Sequence, residues 1–163
     1  MAKKKAVMTN AMRMLTKAGI EYESVEYSAE EVGDDFGCKV ADLLGLDRQI
    51  SFKTLAARGD KTGVIVACIP VPNEVDLKKL AKVSGNKSVQ LIHVKELLSV
   101  TGYARGSVSP IGMKKKYPTY FDITAKEHEK IAVSAGICGG TLIMKPEDVY
   151  KATDCIFEEI TKD

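Results

Sequence analysis

Six consecutive residues, Val64-Ile65-Val66-Ala67-Cys68-Ile69, carry no charged or strongly polar side chain. A strand with one wet face alternates apolar and polar residues. A strand that is apolar at every position has to be covered on both faces. This run therefore predicts a central strand. A second β-rich run, Ile50 to Arg58, precedes it across Gly59-Asp60-Lys61-Thr62-Gly63. The two read as a hairpin around a turn rich in glycine and polar residues. Whatever fold the chain adopts must place this hairpin at its centre and lay other elements over both sides.

The remaining residues supply those covers. Met8, Met12 and Leu15, with Ala11 beside them, mark one face of a first helix that stops at Gly19. A strand over Ile20–Tyr27 follows. A second helix starts near Asp34 or Asp35, buries Phe36, Val40, Leu43 and Leu44, and ends at Gly45. Asp76 is placed to cap a helix carrying Leu77, Leu80 and Ala81. Further strands are expected over Lys87–Ile92, Pro118–Ile123, Ile131–Ser134 and Thr141–Met144, with a short helix over Val94–Val100. Thr124 and Glu127 have capping-box spacing. Pro146 suits the first turn of a last helix, with Val149, Ala152, Ile156 and Ile160 on its buried stripe. With 163 residues the chain is expected to form one domain, residues 1–163. Strands often follow one another without an intervening helix. This predicts a mixed α/β fold whose sheet is mixed or antiparallel, strongly curved and barrel-like, with helices around it.

Composition removes several functional classes. The formal charge is +2, so nucleic-acid binding through the global field is not indicated, and any such contact must come from local patches. Four cysteines, Cys38, Cys68, Cys138 and Cys155, contain no Cys-x-x-Cys pair, which excludes a zinc ribbon or a thioredoxin-type motif. Two histidines cannot build a three-histidine metal site. The residues after Lys3–Lys5 include Thr9, Asn10 and Arg13, so no secretory apolar segment is present there. No run approaches the length of a membrane span. A cytoplasmic protein is expected.

Three segments have the makings of a site. Lys53 sits in the largely uncharged run Ile50-Ser51-Phe52-Lys53-Thr54-Leu55. It either points into a pocket, where its ammonium holds an oxygen, or decorates an edge strand and keeps it soluble. The stretch Gly102–Gly112 holds three glycines and a proline and is followed by Lys114-Lys115-Lys116. Glycine lets backbone N–H groups approach a ligand closely. The lysines either contact phosphates or form a solvated run. Val133-Ser134-Ala135-Gly136 lacks the Gly-x-Ser-x-Gly of a nucleophile elbow, so Ser134 reads as a hydrogen-bonding group and not a nucleophile. Cys138, in a glycine turn, is the most exposed of the thiols by this reading.

These segments, in this order, resemble the YbaK/EbsC family of Cys-tRNA(Pro) deacylases, which is similar to the editing domain inserted in bacterial prolyl-tRNA synthetases. The resemblance rests on Phe52-Lys53-Thr54-Leu55, Val75 to Ala81, Thr101-Gly102-Tyr103, Gly106-Ser107-Val108-Ser109-Pro110 with Gly112, Lys114-Lys115, Pro118, Asp122 and Val133-Ser134-Ala135-Gly136. It implies hydrolysis of the ester that joins a wrong amino acid to tRNA. It also implies a catalytic role for Lys53 and for the backbone at Gly106. Substrate contacts are implied for Tyr27, Phe36, Ser107, Val108, Ser109, Pro110, Ser134, Gly136 and Thr141. Lys114, Lys115 and Lys116 are the candidates for tRNA phosphates. Some relatives carry aspartate where Thr141 stands, seven residues after Ser134. That departure leaves the amino acid open between cysteine and another small one such as alanine. The implied partners are the acceptor end of tRNA(Pro) and prolyl-tRNA synthetase in a ternary complex. No cofactor or metal is called for. A non-catalytic module that binds tRNA or the synthetase is the competing reading; it has no need to retain both Lys53 and the glycine loop.

Overall fold

The structure, a computed structural model, describes residues 8–27 and 36–163, the side chains of residues 36–39 excepted. The expectations for Lys3–Lys5 and for a helix start at Asp34 or Asp35 lie outside the described residues. Helix α1 spans Asn10–Lys17 and is capped by Thr9, whose hydroxyl accepts the Met12 N–H. Its inward face carries Ala11, Met12 and Leu15, all buried, whereas Met8 is exposed. Strand β1 is Glu23–Glu26 and helix α2 is Phe36–Leu43. Among the described side chains of α2, Ala41 is buried and Val40 partly buried, and Leu43 points to solvent, against expectation.

The hairpin forms as predicted. Strands β2 (Phe52–Gly59) and β3 (Gly63–Pro70) are antiparallel and paired along their full length. Helix α3 (Leu77–Ser84) starts at Asp76, whose carboxylate accepts the N–H groups of Lys78 and Lys79, both at 3.0 Å. Strand β4 (Val89–Leu91) and a 3₁₀ turn (Val94–Glu96) lead into α4 (Leu97–Thr101). Strand β5 is Thr119–Asp122. The short 3₁₀ helix after it, Ile123–Glu127, is capped by Asp122 and not by Thr124. Strands β6 (Ile131–Ser134) and β7 (Gly140–Met144) form a second hairpin, followed by α5 (Pro146–Thr153) and β8 (Ile156–Glu158).

The last element corrects the sequence reading. Helix α5 stops at Thr153 because Asp154 adopts a left-handed conformation, φ 54°. The chain beyond it becomes a strand. Ile156 is therefore half exposed on β8 and not part of a helical stripe, while Ile160 is fully buried beyond the helix.

The strands form two sheets. One has the order β4-β2-β3-β5-β8, antiparallel among β4, β2 and β3 and parallel from β3 to β8. The other is the antiparallel sheet β1-β7-β6. They meet at a single bridge, Ser51 to Ala132, where the Ala132 N–H donates to the Ile50 carbonyl at 2.9 Å. One bridge does not make a closed ladder, so the expected barrel-like sheet is replaced by two sheets joined at a corner. The apolar strand β3 accounts for both halves of the core. Val66 and Cys68 face α1, α5 and the small sheet together with Phe52 and Phe121. Ile65, Ala67 and Ile69 face α3 together with Tyr120 and Ile160. Among the described residues no helix is long and apolar enough to cross a membrane.

Candidate active site

The site arises from the way β2 is flanked. One edge of β2 pairs with β3 over all eight residues. Along the other edge, β4 pairs only with Ala57–Gly59, and β6 touches only at Ser51. Between these contacts, no strand among the described residues lies along this outer edge at Lys53, Thr54 and Leu55. The gap opens into a cavity of about 340 Å³, within the size range of small-molecule sites. Lys53 lines it, half-buried, with no carboxylate partner among the described residues. The two sequence-based readings of Lys53 thus coincide: the lysine is on an open strand edge, and that edge is the cavity wall.

The loop from Gly102 to Gly112 supplies the facing wall through Arg105, Gly106 and Val108. Its shape comes from internal bonds. The Ser107 N–H and hydroxyl both donate to the Ala104 carbonyl, at 3.0 and 2.8 Å, closing a tight turn. Gly106 sits in that turn at φ 83°, a conformation that L side chains rarely adopt. The Ser107 amide is therefore spent inside the loop. The Gly106 and Val108 amides donate to nothing among the described residues, and they are the N–H groups free to meet a ligand.

Ser134, Thr141 and Tyr27 come from the small sheet. Ser134 ends β6 and Thr141 lies directly opposite it on β7. The Ser134 hydroxyl donates to the Ser107 carbonyl and accepts the Gly136 N–H, both at 3.1 Å. Its hydrogen bonds tie the glycine loop to the β6–β7 turn, a positioning arrangement. Tyr27 follows β1, and its amide donates to the Gly139 carbonyl at 2.9 Å. Burial raises the Tyr27 hydroxyl above its ordinary pKa, partly opposed by the Gly139 backbone. Tyr103 locks the other side. Its hydroxyl donates to the Ile111 carbonyl at 2.5 Å, and burial pushes its pKa up to about 12. A Cβ at position 136 would come within 2.7 Å of the Tyr103 ring, so only glycine fits there.

The Gly106–Pro110 segment divides in two. Gly106 and Val108 line the cavity, whereas Ser107, Ser109 and Pro110 are buried behind it. The Ser109 hydroxyl accepts the Ile111 N–H at 3.3 Å. Gly136 lies behind Ser134 and does not line the cavity. Phe36 opens α2, but its side chain lies outside the described residues. The lysine triplet is exposed and away from the cavity. Lys116 is ion-paired with Asp154 and Lys114 reaches the Ser99 carbonyl. Cys138 is exposed, as expected, while burial raises the thiols of Cys68 and Cys155. Neither His93 nor His128 lines the cavity. Among the described residues no three His, Cys, Asp or Glu side chains converge as a metal site.

Three contributions escaped the sequence reading. Ser51 lines the cavity with its hydroxyl buried and unpaired. Arg105 stands at the rim. An apolar wall of Leu46, Leu91, Val94 and Leu97 completes the far side. Ser51 and Arg105 each lie within two residues of a singled-out position. The apolar wall carried no local signal.

Lys53 and the Gly106 and Val108 amides, none with a partner among the described residues, thus meet a serine-pinned turn at one cavity that has no histidine in its lining. The family model for the aminoacyl-tRNA editing domain matches residues 35–152, and the chain belongs to that family. It is 47% identical over 163 residues to EbsC of Enterococcus faecalis (strain ATCC 700802 / V583), provisionally named a Cys-tRNA(Pro)/Cys-tRNA(Cys) deacylase, covering 99% of this chain and 98% of that protein. It is 32% identical over 85 residues to the proline–tRNA ligase of Thermodesulfovibrio yellowstonii (strain ATCC 51303 / DSM 11347 / YP87), covering 52% of this chain and 14% of the ligase. Among solved structures, one provisionally assigned as a trans-editing enzyme for prolyl tRNA synthetase superposes with a TM-score of 0.85 at 20% identity, covering 97% of this chain and all of that one. The hypothetical protein APE2540 gives 0.84 at 19% identity, covering 94% and 100%. At those identities the superpositions speak for the fold.

Proposed function

We propose that this chain is a freestanding editing enzyme, acting as one domain, that deacylates mischarged tRNA, with Cys-tRNA(Pro) as its principal substrate. The observation that carries the reading is the convergence of Lys53 with the free amides of Gly106 and Val108 on a single cavity. The name of the 47%-identical EbsC relative supports the substrate. An aminoacyl ester is already reactive, so positioning and charge stabilisation can supply the catalysis. In this mechanism Lys53 aligns the ribose end of the substrate. The Gly106 and Val108 amides receive the negative charge that develops on the ester carbonyl oxygen. With cysteine as substrate, its own sulfur bonds to the ester carbon. The bond to the ribose oxygen breaks, and that oxygen leaves as a hydroxyl with the thiol's proton. Ser134, through the Ser107 carbonyl, keeps the amides in place.

The partner is the acceptor end of tRNA(Pro). Prolyl-tRNA synthetase joins in a ternary complex that supplies tRNA selectivity, in keeping with the ligase similarity. This work belongs in the cytoplasm. The test is release of labelled amino acid from Cys-tRNA(Pro) and Ala-tRNA(Pro), with and without the synthetase, by wild type, Lys53→Ala and Lys53→Arg. A charge-assisted contact is worth roughly 1.5–3 kcal/mol, so folded Lys53→Ala should lose at least about tenfold in rate. A planar, bulkier guanidinium should not restore it. Near-normal turnover by Lys53→Ala sinks the site. Faster release of alanine than of cysteine moves the substrate to Ala-tRNA(Pro). Binding without turnover would make the chain a recognition module.

A further inference from the structure

We infer that Arg105 is a phosphate-binding residue that seats the terminal nucleotide of the substrate, an inference that rests on the deacylase reading above. Arg105 lines the cavity rim, is exposed, and has no carboxylate partner among the described residues. Several other surface cations are neutralised: Arg48 by Asp42, Arg58 by Glu96, Lys79 by Glu159 and Asp163, Lys116 by Asp154. Among the described residues Arg105 is thus a guanidinium without an ion pair, at the mouth of a cavity that already holds one unpaired ammonium, Lys53.

The chemistry of the substrate says what that cation meets. In an aminoacyl ester the amino acid's carboxylate has been consumed in the ester bond, and its amino group is cationic. Neither attracts an arginine. The anion nearest the ester is the phosphate on the 5′ oxygen of the same ribose, a few bonds away along the sugar. A guanidinium presents a rigid fork that matches two phosphate oxygens at once. Arg105 is also well held for the task. It precedes Gly106 in the turn closed by the two Ser107-to-Ala104 bonds, and Ser134 pins that turn from behind. Phosphate bound at Arg105 would leave Lys53 to the ribose and ester, dividing the work of the two cations along one substrate.

The experiment compares two small esters, 3′-O-cysteinyl-adenosine and the same compound bearing a 5′-phosphate, with wild type, Arg105→Gln and Arg105→Lys. In wild type the phosphate should raise kcat/KM at least about tenfold, mostly through KM. In Arg105→Gln that gain should shrink to under about threefold, and Arg105→Lys should retain part of it, as charge without the fork does. On Cys-tRNA(Pro) the salt slope of binding should fall by about 0.7 to 1 with Arg105→Gln. A phosphate gain that is the same in Arg105→Gln as in wild type overturns the proposal. So does equal loss on both esters, which would mark Arg105 as a support of the loop. Cleavage of neither ester nor Cys-tRNA(Pro) by wild type overturns the deacylase reading, and this inference with it.

Discussion

The two ends of strand β2 obey opposite rules. At its turn end, no buried side-chain polar atom among the described residues lacks a partner. Asn86 is buried beside the hairpin turn. Its carbonyl oxygen accepts the N–H groups of Lys61 and Thr62 at 2.9 and 3.0 Å, and its amide donates to Thr62 and Ser84. Asp60 accepts the amides of Lys87 and Ser88, and β4 covers the outer edge. At the other end, one step past the bridge to β6, the edge is uncovered, Lys53 has no ion pair among the described residues, and the Ser51 hydroxyl is buried without a bond. Buried polar groups are normally satisfied, and an orphan costs stability. One strand thus has its polar groups paired within the fold at one end and, among the described residues, leaves them unpaired beside a cavity at the other. The two ends lie roughly 20 Å apart along the strand, far enough for their energetics to be separable.

The largest effect expected on stability is at the turn. Asn86→Ala removes four hydrogen bonds and leaves two backbone amides of the turn without partners. A loss of about 2 kcal/mol is expected, at roughly 1–3 kcal/mol for stranding such groups. It should appear as a lower denaturant midpoint with an unchanged m-value. Deacylation per folded molecule should stay at the wild-type rate. A fall in rate in the folded variant would show that the turn end and the cavity end are coupled, and the comparison would break.

Ser51→Ala is the mirror experiment at the cavity end. The hydroxyl it removes has no partner to strand. Stability should therefore rise, by up to about 1 kcal/mol. If the hydroxyl is held for substrate, the same change should slow deacylation by about two- to tenfold, the worth of one neutral hydrogen bond. A gain in stability with full activity would reduce Ser51 to a packing defect and leave Lys53 as the reserved group at this end.

Sequence patterns exposed this asymmetry only in part. The hairpin was legible because the period of β3 is local: five apolar side chains in a row, Ile65 to Ile69, all fully buried, serve two cores at once. The Asp76 cap and Pro146 at the first turn of α5 were legible for the same reason, since the chemistry lies within a few residues. The switch from α5 to β8 was not. Ala152, Ile156 and Ile160 keep helical spacing, and the left-handed turn at Asp154 redirects the chain without altering it. The barrel-like expectation failed because strand count and order do not say how many bridges form where β6 meets β2. For the site, Lys53 and the glycine loop stood out as residue types. Their meeting depends on β4 and β6 flanking one edge at different points, which no local pattern encodes. The inward turn of Ser109, fully buried behind Gly106, is likewise set by its bond to the Ile111 amide. Lys116 looked like part of a uniform basic run until Asp154 was brought against it from α5's end.

The smallest expected effect concerns acid and the turn end alone. The Ser88 amide, with that of Lys87, holds the Asp60 carboxyl below its ordinary range by bonding the charged form. A carboxyl with a lower pKa in the fold than in the unfolded chain takes up its proton first when unfolded. Its contribution to stability is therefore complete above the unfolded value, near about 4, and is lost as the pH falls through the lower folded value. Asp60→Asn keeps an acceptor oxygen at the same place but carries no charge and does not titrate. Wild type should accordingly be the more stable of the two at pH 7, by a margin that stays constant down to about pH 5 and closes below about pH 4. Denaturant midpoints of both proteins across that range measure the margin directly. Deacylation at neutral pH should be the same in both, because Asp60 is at the satisfied end of the strand. A margin that widens in acid would reverse the sign and mean that the carboxyl is not held in its charged form by those two amides.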